Sequence, residues 1–215
     1  IAQVHRAKIR DVDGLRDVAV KVLRPGVERR FKRDLGDMFF AAKLAERYSS
    51  EARRLRLYDV VDTLARGVKM EMDFRLEAAA ASEFADNTLT DADFQVPGVN
   101  WERTAKNVLV IEWIDGTSLS DLVALKNQGY DLPHLGKIVI QSFLRHSVRD
   151  GFFHADMHQG NLLVRPDGTI TAIDFGIMGR INRRARLYLA EILHGLVTGN
   201  YARVAEIHFE AGYVP

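Results

Sequence analysis

Short apolar runs from Val4 to Ile9 and from Val18 to Leu23 flank Asp13-Gly14, and Asp-Gly between such runs predicts a β-hairpin. Pro25-Gly26 ends the second strand. From Val27 to about Ser49 the positions Phe31, Leu35, Met38, Phe39, Ala42 and Leu44 recur near helical spacing. From Asp59 to about Asn87 the series Val60, Leu64, Val68, Met72, Leu76 and Ala80 runs at i, i+4, predicting one long amphipathic helix. Phe94 to Pro97 and Val108 to Glu112 read as strands, the second almost wholly apolar and therefore buried. Helices follow from Leu119 to about Gln128, with Ser118 as N-cap, and from Gly136 to about Asp150, closed by Gly151. Leu162 to Arg165 and Thr169 to Ile173 predict a second hairpin across Pro166-Asp167-Gly168. The last helices span Arg183 to Thr198 and Tyr201 to Ala211.

This pattern, a β-rich piece with helices and then a mostly helical piece, predicts an α+β fold divided near Asp115-Gly116. At 47% apolar and 27% charged residues the 215-residue chain has ordinary globular composition, with room for one two-lobed domain. It has no cysteine, which excludes disulfides and thiolate metal sites. The longest strand-like apolar run, Val108 onward through Trp113 and Ile114, is broken by Glu112, well short of the roughly 18 residues a membrane span needs. The net charge of +1 gives no sign of a nucleic-acid partner, and none is expected. Charge is unevenly spread: Arg24 to Arg56 holds ten Lys/Arg and five Asp/Glu, and Asp59 to Asp93 holds three basic and nine acidic residues. Solvated helix faces account for that asymmetry; an anionic lipid surface or a partner is the functional reading of the basic stretch. The chain opens on Ile1 within what reads as a strand, so a fragment is expected.

Chemistry concentrates in His154-Ala155-Asp156-Met157-His158-Gln159-Gly160-Asn161, followed beyond the second hairpin by Asp174-Phe175-Gly176. Phosphoryl transfer asks a protein for a carboxylate to orient the attacking oxygen and for hard oxygen ligands to hold Mg²⁺ on the phosphates. Asp156 suits the first role, Asn161 and Asp174 the second. The Asp-to-Asn spacing of the protein-kinase catalytic loop and its D-F-G metal motif have this form. Upstream, Val18-Ala19-Val20-Lys21 has the form of the kinase V-A-I-K strand, with Lys21 placed for the α/β-phosphates of ATP and Ala19, on the same face, bordering the adenine. A lysine within an apolar strand needs an acidic partner. Glu71, Asp73 and Glu77 are the candidates, and the helical reading puts Asp73 and Glu77 on one face. Leu109 to Gly116 is similar to a kinase hinge, where the backbone of Glu112, Trp113 and Ile114 would read the adenine edge. His158 is expected to brace the loop. No G-x-G-x-x-G precedes Lys21, no A-P-E follows Asp174, and few residues separate Gly176 from the next helix.

On these residues the chain resembles the UbiB family of atypical kinase-like ATPases, the ADCK group in animals, over nearly its whole length. Ile1 to Ala7 looks like the end of that family's alanine-rich nucleotide loop, Glu71-Met72-Asp73 like its E-x-D motif, and Glu77 like its lysine-pairing glutamate. The inserted helix, His154-Ala155-Asp156, Asp174-Phe175-Gly176 and the tail Ala211 to Pro215 are similar too, whereas Met157 and Gln159 stand where the family commonly has proline. The resemblance implies a protein-kinase-like two-lobed fold truncated at its N-terminus. Residues 1–115 would form an N-lobe of β-hairpin, inserted helix, αC-like helix, buried strands and hinge, and 116–215 a helical C-lobe with catalytic loop and D-F-G. It implies an enzyme that binds ATP and Mg²⁺, with Asp156, Lys21 and Glu77 catalytic and Asn161 and Asp174 on the metal. It also implies a role in ubiquinone biosynthesis at the cytoplasmic face of a bacterial inner membrane, with biosynthetic enzymes or lipid precursors as partners. The family's N-terminal K-x-G-Q motif and C-terminal membrane helices do not occur in this sequence, so contact with an anionic membrane is expected of a full-length protein. An aminoglycoside or choline kinase type of small-molecule phosphotransferase shares the His-x-Asp, Asn and Ile-Asp-Phe pattern, and a non-catalytic nucleotide-binding scaffold is the third reading.

Overall fold

In a computed structural model that describes residues 1–11 and 14–214, the chain divides into two compact units, Ile1–Ala79 with Gly98–Trp113 and Ala80–Pro97 with Ile114–Pro215. In chain order the elements begin with strands β1 (Ala2–Asp11) and β2 (Gly14–Leu23) and helices α1 (Val27–Tyr48), α2 (Ser50–Leu55), α3 (Leu57–Glu71) and α4 (Phe74–Thr88). Strands β3 (Phe94–Gln95), β4 (Val108–Glu112) and β5 (Thr117–Ser118) come next, then helices α5 (Leu122–Asn127) and α6 (Leu132–Arg145). The remainder is β6 (Phe152–His154), β7 (Leu162–Val164), β8 (Ile170–Ala172), β9 (Met178–Arg180), α7 (Arg183–Thr198) and α8 (Tyr201–Glu210).

The first unit is built on an antiparallel sheet in the order β1-β2-β4. The Asp13-Gly14 turn signal falls partly on Val12 and Asp13, outside the described residues, but the strands on either side pair in register from Ala2↔Leu23 to Asp11↔Gly14. The segment read as the end of a nucleotide loop, up to Ala7, is therefore strand from Ala2 onward, because β2 offers a ladder partner over its whole length. Ala19, Leu23, Leu109 and Ile111 lie on one face of this sheet, and Phe74 and Ala78 of α4 close over it.

The long helix expected from Asp59 to Asn87 is interrupted at Met72-Asp73. Asp73 turns its carboxylate onto the backbone N–H of Arg75, and the Phe74 N–H donates to the carbonyl of Lys106. A side chain that caps the next helix competes with continuation of the previous one. The stripe from Val60 to Ala80 consequently straddles a break, and Val60, Leu64 and Leu76 are exposed. The buried positions of α4 include Phe74, Glu77 and Ala78 in the first unit and Ala81 and Phe84 in the second. Helices α1 and α3 bury one side chain each, Ala42 and Val68, and leave Phe40, Leu44 and Tyr48 in solvent.

In the second unit β3, β8, β7 and β5 form one sheet and β6 pairs with β9. Ser118 belongs to β5; the cap of α5 is Asp121, whose carboxylate accepts the Ala124 N–H at 2.9 Å. Asp131 caps α6, which begins four residues before Gly136 with Pro133 in its first turn. Helix α6 continues as a π turn, His146–Asp150, that Gly151 closes at φ 69. A Cβ on Gly151 would stand 2.7 Å from the Ile181 carbonyl and 2.6 Å from the Arg186 side chain. Gly151→Ala therefore combines left-handed backbone strain with a clash against main chain. It should cost about 1–3 kcal/mol, read as a lowered midpoint in urea unfolding followed at the second unit; an unchanged midpoint would show that the turn can relax.

Candidate active site

Alternation along β2 puts Lys21 on the sheet face that α4 covers, opposite Leu109 in β4 and Val4 in β1. Its ammonium lies 2.8 and 3.0 Å from the two carboxylate oxygens of Glu77 and 5.5 Å from the centre of the Phe74 ring. Lys21 is 20% exposed and Glu77 8%, so this is a largely dehydrated pair whose members are 56 residues apart in the chain. Glu77 occupies the first turn of α4, where the helix dipole also favours a carboxylate.

The structure selects among the three acidic candidates. Asp73 precedes α4, so it does not share a helix face with Glu77; its carboxylate is held by Arg75, which pulls its pKa down to about 2. Glu71 ends α3 in solvent. Ala19 sits on the Lys21 face, opposite Ile111, and packs against the Leu23 and Phe74 cluster. At the end of β4 the Glu112 N–H donates to the Gly98 carbonyl and the Trp113 N–H to the Asp17 carbonyl, while the Arg6 guanidinium covers the Trp113 ring at 4.8 Å. Those two amides are thus engaged inside the first unit. Ile114 is buried and belongs to the second unit. A groove of about 740 Å³ opens at the start of α1 between Arg24, Arg29, Arg30 and Arg33, and none of the sequence-predicted site residues lines it.

In the second unit β6 delivers His154, and the loop beyond it carries Asp156 and Asn161 back into β7. The Asn161 side-chain amide donates to the Asp156 carbonyl at 3.2 Å, which assigns its NH₂ to the loop and leaves the amide oxygen as the group facing outward from that bond. The Asn161 carbonyl accepts the Ile173 N–H at 3.0 Å, so the β7–β8 hairpin sets Asn161 beside the residue before Asp174. The Asp174 carboxylate accepts the Gly176 N–H at 3.1 Å. His158 accepts the Gly160 N–H through Nδ1 and stands 3.8 Å from the Asp156 carboxylate, a brace on the loop as its position suggested. His154 is fully buried and accepts the Asp156 N–H through Nδ1, which leaves the proton of the neutral ring on Nε2. Burial pushes the His154 pKa down, against the pull of the Asp174 carbonyl and the Asp174 and Asp156 carboxylates. Its ring lies 5.9 Å from that of Phe175.

An asparagine oxygen and an aspartate carboxylate are hard donors of the kind Mg²⁺ takes, and two protein donors suffice where phosphate oxygens and water supply the rest. Among the described residues no three His, Cys, Asp or Glu groups form a metal cluster on their own.

Sequence reasoning missed the ion network behind the loop, in which Asp91 and Asp93 meet Arg145, His146 and Arg149. The only sequence cue to it is the i, i+4 spacing of Arg145 and Arg149 with two nearby aspartates some fifty residues earlier.

A paired lysine on a sheet face and a loop-plus-hairpin carrying Asp156, Asn161 and Asp174 define a kinase-like α+β protein. The chain belongs to the ABC1 atypical kinase-like domain family, which matches residues 1–208. Curated relatives named probable protein kinase UbiB are 39% identical in Azotobacter vinelandii, 38% in Marinobacter nauticus and 37% in Pseudomonas aeruginosa, each over all of this chain. The chain spans 40% of the length of those relatives. A solved structure from Mycobacterium tuberculosis, described as the complex of Rv3197 with erythromycin, superposes with a TM-score of 0.79 at 30% identity over 99% of this chain and 52% of that one.

Removing one member of a dehydrated pair strands the other, whereas replacing both by apolar groups of similar size is close to neutral. Glu77→Ala should accordingly cost about 3 kcal/mol, and Lys21→Met with Glu77→Leu should recover most of that loss in denaturant titrations. Equal stability of the single and double variants would mean that Lys21 finds water once Glu77 is gone.

Proposed function

We propose that this chain is the catalytic portion of an ATP-dependent atypical kinase-like ATPase that binds MgATP and supports ubiquinone biosynthesis in association with a membrane. One observation carries the phosphoryl-transfer reading: a single hairpin in the second unit presents Asp156 and Asn161 on its entry and Asp174 on its exit, locked by the Asn161 amide and the Ile173–Asn161 bond. In this reading Lys21, held by Glu77, takes the α/β-phosphates, with Ala19 at the adenine. The main chain at Glu112 to Ile114 contributes to base recognition through its carbonyls and the Ile114 N–H, since the Glu112 and Trp113 amides are engaged elsewhere. Asn161 Oδ1 and the Asp174 carboxylate would hold Mg²⁺, which when bound neutralises charge on the phosphate oxygens. Asp156, almost half exposed, orients the attacking hydroxyl or water.

The ubiquinone role and the membrane setting rest on the relatives' names and on the resemblance, and they concern a protein longer than this chain. Among the described residues no helix is long and apolar enough to cross a membrane. The acceptor is water or a small lipid-like hydroxyl, not a peptide. After Gly176 the chain passes straight into β9, which pairs with β6, and then into α7 capped by Asn182, so no long loop is available to dock an extended substrate. A second reading, a small-molecule phosphotransferase, draws on the solved relative whose description names an erythromycin complex.

Asp174→Asn should weaken Mg²⁺-dependent nucleotide binding and leave thermal stability intact. Asp156→Asn should keep binding and lower turnover on the order of 10²–10⁴-fold. The check is calorimetric nucleotide titration with and without Mg²⁺, beside ATP hydrolysis by full-length protein on anionic liposomes with water, macrolide or generic peptides as acceptors. Peptide phosphorylation that outruns hydrolysis and disappears in Asp156→Asn would make this a protein kinase. Unchanged Mg²⁺-dependent affinity in Asp174→Asn would remove the nucleotide reading itself.

A further inference from the structure

Behind the candidate active site, within the second unit, lies a buried charge cluster that the chemistry above does not use. Asp91, with a side chain only 2% exposed, accepts His146 Nε2–H at 2.8 Å and Arg149 at 2.7 Å, with Arg145 at 3.2 Å. Burial alone would raise the Asp91 pKa; the hydrogen bonds from Arg149 and His146 and the charge of Arg145 hold it below the ordinary carboxylate range. Arg145 also grips Asp93 through both terminal guanidinium nitrogens, at 2.9 and 3.1 Å, and Arg149 reaches the Asn87 carbonyl at the end of α4. The loop after α4 is thereby riveted to the π turn His146–Asp150.

Two features connect this rivet to the site. His146, fully buried, stands edge-on to Phe84 at 4.9 Å and to Phe94 at 5.0 Å, and Phe84 packs against Phe175 at 6.2 Å and Phe152 at 6.1 Å. The π turn also runs directly through Gly151 into β6, the strand that carries His154 toward Asp156. π turns insert an extra residue into a helix and concentrate at functional sites, because they re-aim the chain beyond them. One buried hydrogen bond, from His146 to Asp91, thus lies at the root of both arms of the site, the aromatic arm ending in Asp174-Phe175-Gly176 and the strand arm ending in Asp156.

We propose that Asp91 and His146 are positioning residues, which fix Phe175 through Phe84 and fix the start of the catalytic loop through the π turn. The activity side of this assignment rests on the phosphoryl-transfer reading; the positional side does not. Two amides report position directly, Asp156 N–H on His154 Nδ1 and Gly176 N–H on the Asp174 carboxylate. Amide hydrogen exchange on the nucleotide-free chain should show His146→Ala and Asp91→Ala speeding exchange at both amides by about tenfold or more, the size expected when local opening is released from its restraint. Ile207→Ala, a buried truncation in α8, serves as the control for general destabilisation and should spare them at a comparable fall in melting temperature. His146→Gln, which returns a donor near the Nε2 position, should restore slow exchange. Where His146→Ala fails to fold, His146→Phe keeps the ring packing, removes the donor and carries the same expectation. In the turnover assay the same variants should lower kcat with little change in KM for ATP. Exchange at Asp156 and Gly176 that is unchanged in the His146 variants, or equally raised by Ile207→Ala, overturns the proposal. Absent turnover in the unsubstituted protein would count against phosphoryl transfer and leave the exchange result to decide the positioning role.

Discussion

A charge removed from water must find its opposite, and each unit of this protein is organised by that requirement. In the first unit it falls on Lys21, whose place in an apolar strand would be costly without the Glu77 carboxylate at hydrogen-bond distance. Glu77 meets it from the first turn of α4, the same turn that lays Phe74 and Ala78 on the sheet. In the second unit it falls on Asp91, on which two arginines and the His146 imidazole converge from one helical segment. Such pairs add little net stability over an apolar core of equal shape, but their geometry is demanding, and they specify one arrangement among many.

The residues with strong local signals were legible before any coordinates. The apolar run of β4 and the span of α7 coincide with their sequence assignments, and the hairpin around Pro166-Asp167-Gly168 closes as its turn residues demand, with Gly168 at φ 87. What was not legible depends on partners far away in the chain. Strands β6 and β9 are three residues each, too short to show a period, and exist because they pair across a gap of more than twenty residues. The break before α4 depends on a carboxylate preferring its neighbour's amide and on a carbonyl at Lys106, neither visible in an i, i+4 count.

The candidate site shows the same division. Asp156, Asn161 and Asp174 stood out because their spacing has few uses other than phosphate chemistry, and the hairpin that joins them is local. Glu77 could be picked from its acidic neighbours only on resemblance, since the helical argument also admitted Asp73, which the structure places outside the helix and ties to Arg75. The Asp91–His146 cluster lay beyond reach, because it joins a loop and a helix more than fifty positions apart and its residues belong to no motif.

The sparse burial beneath α1 and α3 has a thermodynamic consequence. A pair of helices that each sink one small or medium side chain, while Phe40 stays 70% exposed, gains little from burial compared with a strand locked at Leu109. Cooperativity is transmitted through shared buried surface, so helices with few buried side chains share less of it with the sheet than α4 does. Within the first unit burial is therefore graded, densest where α4 meets the sheet and sparse along α1 and α3.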